Sequence, residues 1–148
     1  MKFNENSQNI KVALTEKALS MAIDIITQQK LPVLYCNTNL TDIQIVQKIV
    51  SLEAGIDIKN LKSGLLNDHE YKSILNVVEK IYEAPLYICE YTYENIEQRK
   101  ETFIELSKKE NIKIIFIDYE KKDKDLVNKI IDGTVIPIIA IENEGNNI

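Results

Sequence analysis

The chain has 148 residues, 45% of them hydrophobic, and a formal net charge of -5. That length supports one well-buried core and is short for two ordinary domains. The acidic balance, with Arg99 as the single arginine, argues against strong direct binding to nucleic acid, whose affinity rests on Lys and Arg neutralising phosphates.

Apolar periodicity along the chain alternates between two and about 3.6 residues, which predicts an α/β domain. A single domain over 1–148 is expected, with 1–8 and 143–148 as flexible tails. A short strand, Ile10 to Leu14, leads into a helix from Thr15 to Gln29, where Ala18, Leu19, Ala22, Ile23 and Ile26 recur at helical spacing. Pro32 opens the strand PVLYC. Thr41 and Gln44 fit a capping box, starting a helix from Asp42 to about Gly55 that buries Ile45, Ile49 and Leu52. IDIKNLKSG reads as a connecting piece. Asn67 and Glu70 start the next helix, Asp68 to Tyr82, with Tyr71, Ile74, Leu75, Val78 and Ile81 on one face. Pro85 ends it and LYICEY follows as a strand. Thr92 caps a helix to about Asn111, carrying Ile96, Phe103, Ile104 and Leu106. The strand IKIIFIDY comes next, then a charged loop, a short helix from Asp125 to Ile131, and the strand PIIAIE.

The chemistry-bearing residues are few. A buried strand ending at Asp118 is what a nucleotide-hydrolysing sheet would have. A phosphate-binding loop needs glycines whose N-H groups wrap the phosphates, a Lys for the terminal ones and a Ser or Thr for the metal. Gly55, Gly64, Gly133 and Gly145 all lie elsewhere. Cys36 and Cys89 end strand-like runs without a CxxC pattern and are expected as buried thiols. His69 stands in the first turn of a solvated helix without a nucleophile beside it. Glu53, Asp57, Asp68 and Glu70 lack metal-ligand spacing. Lys108, Lys109, Lys121, Lys122 and Lys124 are mixed with acidic residues, as on a solvated surface. Tyr91 and Tyr93, at a strand end, are candidate interface contacts. No apolar run approaches the roughly 20 residues of a membrane span, and the N-terminus has no signal-peptide core, so a cytoplasmic protein is expected.

The order of these elements and their wording resemble the ATPase domain of DnaB-type replicative helicases. PVLYCNTNLT, LKSGLLNDHEYKSI, LYICEY, IFIDYEK and TVIPIIAIENEGN stand in order where that family has PVLFFSLEMS, a Gly-bearing acidic stretch, a strand, IMIDYLQ and NVPVIALSQLN. The resemblance covers the chain from about Ile10 onward. It implies a three-layer RecA-like core of the P-loop NTPase class with a mostly parallel sheet, here lacking the P-loop and the distal strands.

The resemblance also assigns residues. The family's Gly-Lys-Thr loop falls on Ala13, Leu14 and Thr15, where only the hydroxyl of Thr15 survives. Asp118 takes the place of the carboxylate that holds Mg²⁺ through water. Asn39 replaces the catalytic Glu, and the Gln of SQLN falls on Asn143, or on Glu142 one register away. Thr15 and Asp118 are therefore expected as vestigial nucleotide-binding positions, with no catalytic residue, no resident metal and no cofactor. The expected function is that of a non-catalytic helicase-like domain, not an enzyme, working through contacts with a replicative helicase or its loader. Homodimerisation through an exposed sheet edge is a further expectation. The competing expectation is a nucleotide-binding or ATPase domain whose site a partner subunit completes.

Overall fold

The computed structural model describes residues 15–38, 40–90, 96–132 and 134–143. The expected strand from Ile10 to Leu14, the Thr92 cap, Tyr91, Tyr93 and both tails' outer residues lie outside them. Helix α1 covers 15–24 and is prolonged by a π-helical turn, Ile25–Gln29, that stops where Lys30 turns left-handed at φ 54. Strand β1 is Val33–Asn37, followed by helices α2, Asp42–Ala54, α3, Ile58–Ser63, and α4, Asp68–Tyr82. Strand β2 is Leu86–Glu90, and helix α5, Ile96–Lys109, leads to β3, Ile114–Glu120. A 3₁₀ turn, Lys121–Asp123, runs into α6, Lys124–Ile131, and β4, Ile138–Asn143, comes last.

Both predicted capping boxes form. Thr41 Oγ1 accepts from the Gln44 N-H at 3.2 Å while Gln44 Oε1 accepts from the Thr41 N-H at 2.9 Å. Asn67 and Glu70 repeat the exchange at 2.8 and 3.1 Å. Each satisfies orphan donors of a helix start reciprocally. The expected connecting piece is instead α3, a short helix capped by Asp57, which accepts from the Lys59 N-H, and ended by Gly64 at φ 74. Gly55 ends α2 in the same way at φ 68, a conformation that a Cβ would strain.

The four strands are parallel in the order β2-β1-β3-β4. Strand alternation sends Val33 and Tyr35 to one face and Leu34 and Cys36 to the other. On the first face α1 and α2 pack Leu19, Ile23, Ile26, Ile45 and Ile49 against Tyr35, Phe116 and Ile141. On the second, α5 and α6 bring Leu106, Leu126 and Val127 against Leu34, Ile115 and Ile117. The result is the three-layer α/β architecture expected from the sequence.

Cys36 and Cys89 are buried as expected and stand opposite each other in the β1–β2 register. The face expected on α4 divides in two. Val77 is buried, Ile74 and Ile81 are half-buried beside α2 and the core, whereas Tyr71, Leu75, Val78 and Tyr82 are exposed. Helical periodicity marks apolar positions but not which of two adjacent seams a neighbouring helix will cover.

Candidate functional site

The connections from β1 and from β3 leave in opposite directions, since β2 lies on one side of β1 and β4 on the far side of β3. A crevice opens outside the carboxyl ends of such strands, where α/β sheets bind ligands. Asp118 lies there, opposite Asn37 in the β1–β3 register, and is 5% exposed.

The strands on either side of β3 each send one side chain to its carboxylate. From β1, the Tyr35 hydroxyl donates to Asp118 Oδ2 at 2.8 Å. From β4, Asn143 Nδ2 donates to Asp118 Oδ1, and the same amide reaches the Tyr119 carbonyl at 3.4 Å. All three side chains are on the α1–α2 face because they alternate in phase with Phe116 and Ile141, and Tyr35 stacks on Phe116 with centroids 5.8 Å apart. Burial, and then the charge of Asp118, hold the Tyr35 phenol well above its ordinary pKa. Tyr35 is therefore a permanent donor at any physiological pH, and the carboxylate is its acceptor.

The loop after β1 is stitched to the same place. The Thr38 N-H donates to the Asp118 carbonyl at 3.2 Å, and Thr38 Oγ1 accepts from the Glu120 N-H at 3.4 Å. Asn37 Oδ1 accepts from the Leu40 N-H at 2.5 Å, three residues on.

Asn143, not Glu142, faces Asp118. Glu142 points to the other side, where it accepts from the Tyr119 hydroxyl at 3.2 Å and lies 3.9 Å from Lys124 Nζ. That carboxylate raises the Tyr119 phenol pKa after burial has done the larger part. Thr15 is buried at the start of α1, on the face that Asp118 occupies. Asn39 lies outside the described residues. His69 is exposed on α4, and no group of three or more His, Cys, Asp or Glu able to hold a metal occurs among the described residues. A cleft of about 340 Å³ lined by Ile26, Lys30, Lys80 and Pro85 lies at the opposite end of the strands and holds none of these groups.

Sequence reasoning missed Tyr35 and left Asn143 without a partner. A signal existed for the first: a Tyr within a fully apolar strand must bring its hydroxyl to an acceptor when buried.

Residues 11–128 match the family described as DnaB-like helicase C terminal domain. The chain belongs to that family. It is 30% identical over 105 residues to the replicative DNA helicase DnaB of Treponema pallidum, covering 71% of this chain and 24% of that protein. It is 27% identical over 108 residues to a probable plasmid replicative DNA helicase of Chlamydia trachomatis serovar L2, covering 73% of the chain and 24% of the relative. A solved DnaB-like replicative helicase, described together with its interactions with primase, superposes with a TM-score of 0.66 at 13% identity. That match covers 87% of this chain and 35% of the other, and it shows the RecA-like fold. The chain spans about a quarter of the length of these curated relatives.

Membership corrects one expectation. The missing loop and Asn39 pointed to a protein that is not an enzyme, but the family is one of helicases and its curated relatives are named replicative DNA helicases. The error came from treating one stretch of the family's length as though it had to carry every catalytic part. Among the described residues no helix is long and apolar enough to cross a membrane.

Proposed function

We propose that this DnaB-like chain works in DNA replication as a RecA-like module that presents the metal end of a nucleotide site, with the phosphate-binding loop supplied by a partner subunit. The single observation behind this reading is the carboxylate of Asp118, buried at the carboxyl end of the sheet and aimed by Tyr35 and Asn143. A Mg²⁺ ion keeps several waters and takes one or two carboxylates together with the phosphates of its nucleotide. Asp118 suits one such carboxylate contact through water. Asn143 Oδ1, a buried acceptor with no hydrogen-bond partner among the described residues, suits a second water. Bound Mg²⁺ would supply charge neutralisation of the phosphates. The residues of this chain orient it, and Tyr35 keeps a proton on its phenol rather than adding charge.

The partner in this reading is a replicative helicase or its loader, whose activity the chain modulates through contact. Self-association belongs to it too. Strand β2 pairs only with β1 among the described residues, and its Leu86, Tyr87 and Ile88 are half-buried, so a second copy's strand fits that edge.

Titration calorimetry with Mg-ATP tests the reading, using the chain alone, a DnaB-type helicase alone and the two mixed. Binding in the mixture should exceed the sum of the separate components, and Asp118→Asn in this chain should abolish the excess. A mixture that binds no more than its parts, or one that Asp118→Asn leaves unchanged, overturns it.

A further inference from the structure

The two cysteines of the chain lie far apart in sequence, and the sheet brings them onto one rung. Cys36 on β1 is the register partner of Cys89 on β2, and both side chains enter the same face of the sheet, the one packed by α5 and α6. Neighbouring strands run about 4.7–4.9 Å apart. A disulfide spans Cα atoms about 4.4–6.8 Å apart and draws the Cβ atoms to about 3.8 Å. Two thiols on one face of one parallel rung therefore need a closing movement on the order of 1 Å. Strand β2 is placed to make it. Among the described residues β2 pairs with β1 alone, whereas β1 is held between β2 and β3.

We propose that Cys36 and Cys89 are a site of reversible oxidation by peroxide, which joins them as a disulfide across the β1–β2 rung. Cys89 is the thiol attacked first, because it is 6% exposed on the edge strand while Cys36 is fully buried. That narrow exposure suits a small uncharged oxidant. The Cys89 thiolate attacks one oxygen of hydrogen peroxide. An S–O bond forms, the O–O bond breaks, and the departing hydroxide takes up a proton to leave as water. The Cys36 thiolate then attacks Cys89 Sγ, forming the S–S bond and breaking the S–O bond, whose oxygen leaves as a second water. Each sulfur gives up one electron, and the two thiol protons end in the two waters.

The position of the bond gives it a consequence. Cys36 lies between Tyr35, which holds Asp118, and Asn37, and Cys89 precedes Glu90, the register partner of Asn37. Oxidation thus ties the edge strand to its neighbour at the carboxyl end of the sheet. It also closes a loop that contains α2, α3 and α4, which restricts the unfolded chain. A bond that must draw two strands together is easier to reduce than a relaxed one. A dithiol therefore returns both cysteines to thiols, as befits a responsive pair and not a permanent staple.

The pair acts independently of the nucleotide reading, and its test uses no nucleotide. The folded full chain is treated with millimolar hydrogen peroxide, and its thiols are then counted in denaturant. The untreated chain should show two and the treated chain none. Digestion should yield the Cys36 and Cys89 peptides joined and lighter by two hydrogens than their sum, and dithiothreitol should separate them. The urea midpoint of the oxidised chain should lie about 0.5 M or more above that of the reduced chain. Cys36→Ala removes the thiol that resolves the sulfenic acid, so a cyclic 1,3-diketone should capture Cys89 in that variant. Cys89→Ala should leave Cys36 a thiol through the same treatment, with circular dichroism confirming that both variants are folded. Two thiols surviving in the untouched sequence, a disulfide joining two chains instead of two strands, or an oxidised chain that melts no later than the reduced one overturns the proposal. Capture at Cys36 in Cys89→Ala without capture at Cys89 in Cys36→Ala overturns the order of attack.

Discussion

Replacing Tyr35 with Phe removes one oxygen from a fully buried side chain and keeps its stack on Phe116. At neutral pH the change leaves Asp118 Oδ2 without its 2.8 Å donor, a loss of about 1–3 kcal/mol for a hydrogen bond to a charged acceptor. The same phenol makes a second, opposite contribution. Its folded pKa is raised by burial first and by Asp118 second, whereas in the unfolded chain it titrates near 10. Below about pH 10 both states hold the proton and the full stability is present. Above it the unfolded chain loses the proton and the folded chain keeps it, so unfolding is favoured by about 1.4 kcal/mol for each further pH unit. Tyr35→Phe lacks that penalty. Urea melts of both proteins at intervals from pH 7 to 11 should therefore show a gap that is constant to pH 10 and has narrowed by about 1 kcal/mol at pH 11. Two curves that stay parallel through pH 11 would mean that the folded phenol ionises as freely as the unfolded one, refuting the buried Tyr35–Asp118 bond.

Other outcomes follow from the same packing. Leu126→Ala should cost about 2–5 kcal/mol in urea melts, because Leu126 is 1% exposed in the α6 face of the core and the gap cannot refill. Thr41→Ala should lower stability by about 1 kcal/mol in the same assay, since it breaks the capping box that starts α2.

Much of this architecture is legible in the sequence because the signals are local. Thr41 with Gln44, and Asn67 with Glu70, announce helix starts through contacts three residues apart, and both boxes form. The short helix α3 was legible too: Asp57 before it and Gly64 after it are a start and a stop, overlooked because only six residues separate the caps. Asp118 could be found from its place at the end of an apolar run. Its donors could not, since Tyr35 is 83 positions away and Asn143 is 25, and only strand order brings them together. The two seams of α4 illustrate another limit. Spacing fixes which residues share a stripe, while the choice of covered stripe depends on where α2 lies.

The bonds that converge on Asp118 also bear on how the sheet assembles. Sliding β1 or β4 by one residue past β3 would turn Tyr35 or Asn143 to the opposite face and strand a buried carboxylate. Apolar strands alone discriminate weakly among such slips, because Val, Leu and Ile exchange places at small cost. An all-parallel sheet must find its pairings across long loops and does so slowly, so its misaligned forms have time to compete. The polar knot at the sheet's carboxyl end penalises them, and folding would retain this triad for that reason even where no nucleotide is bound.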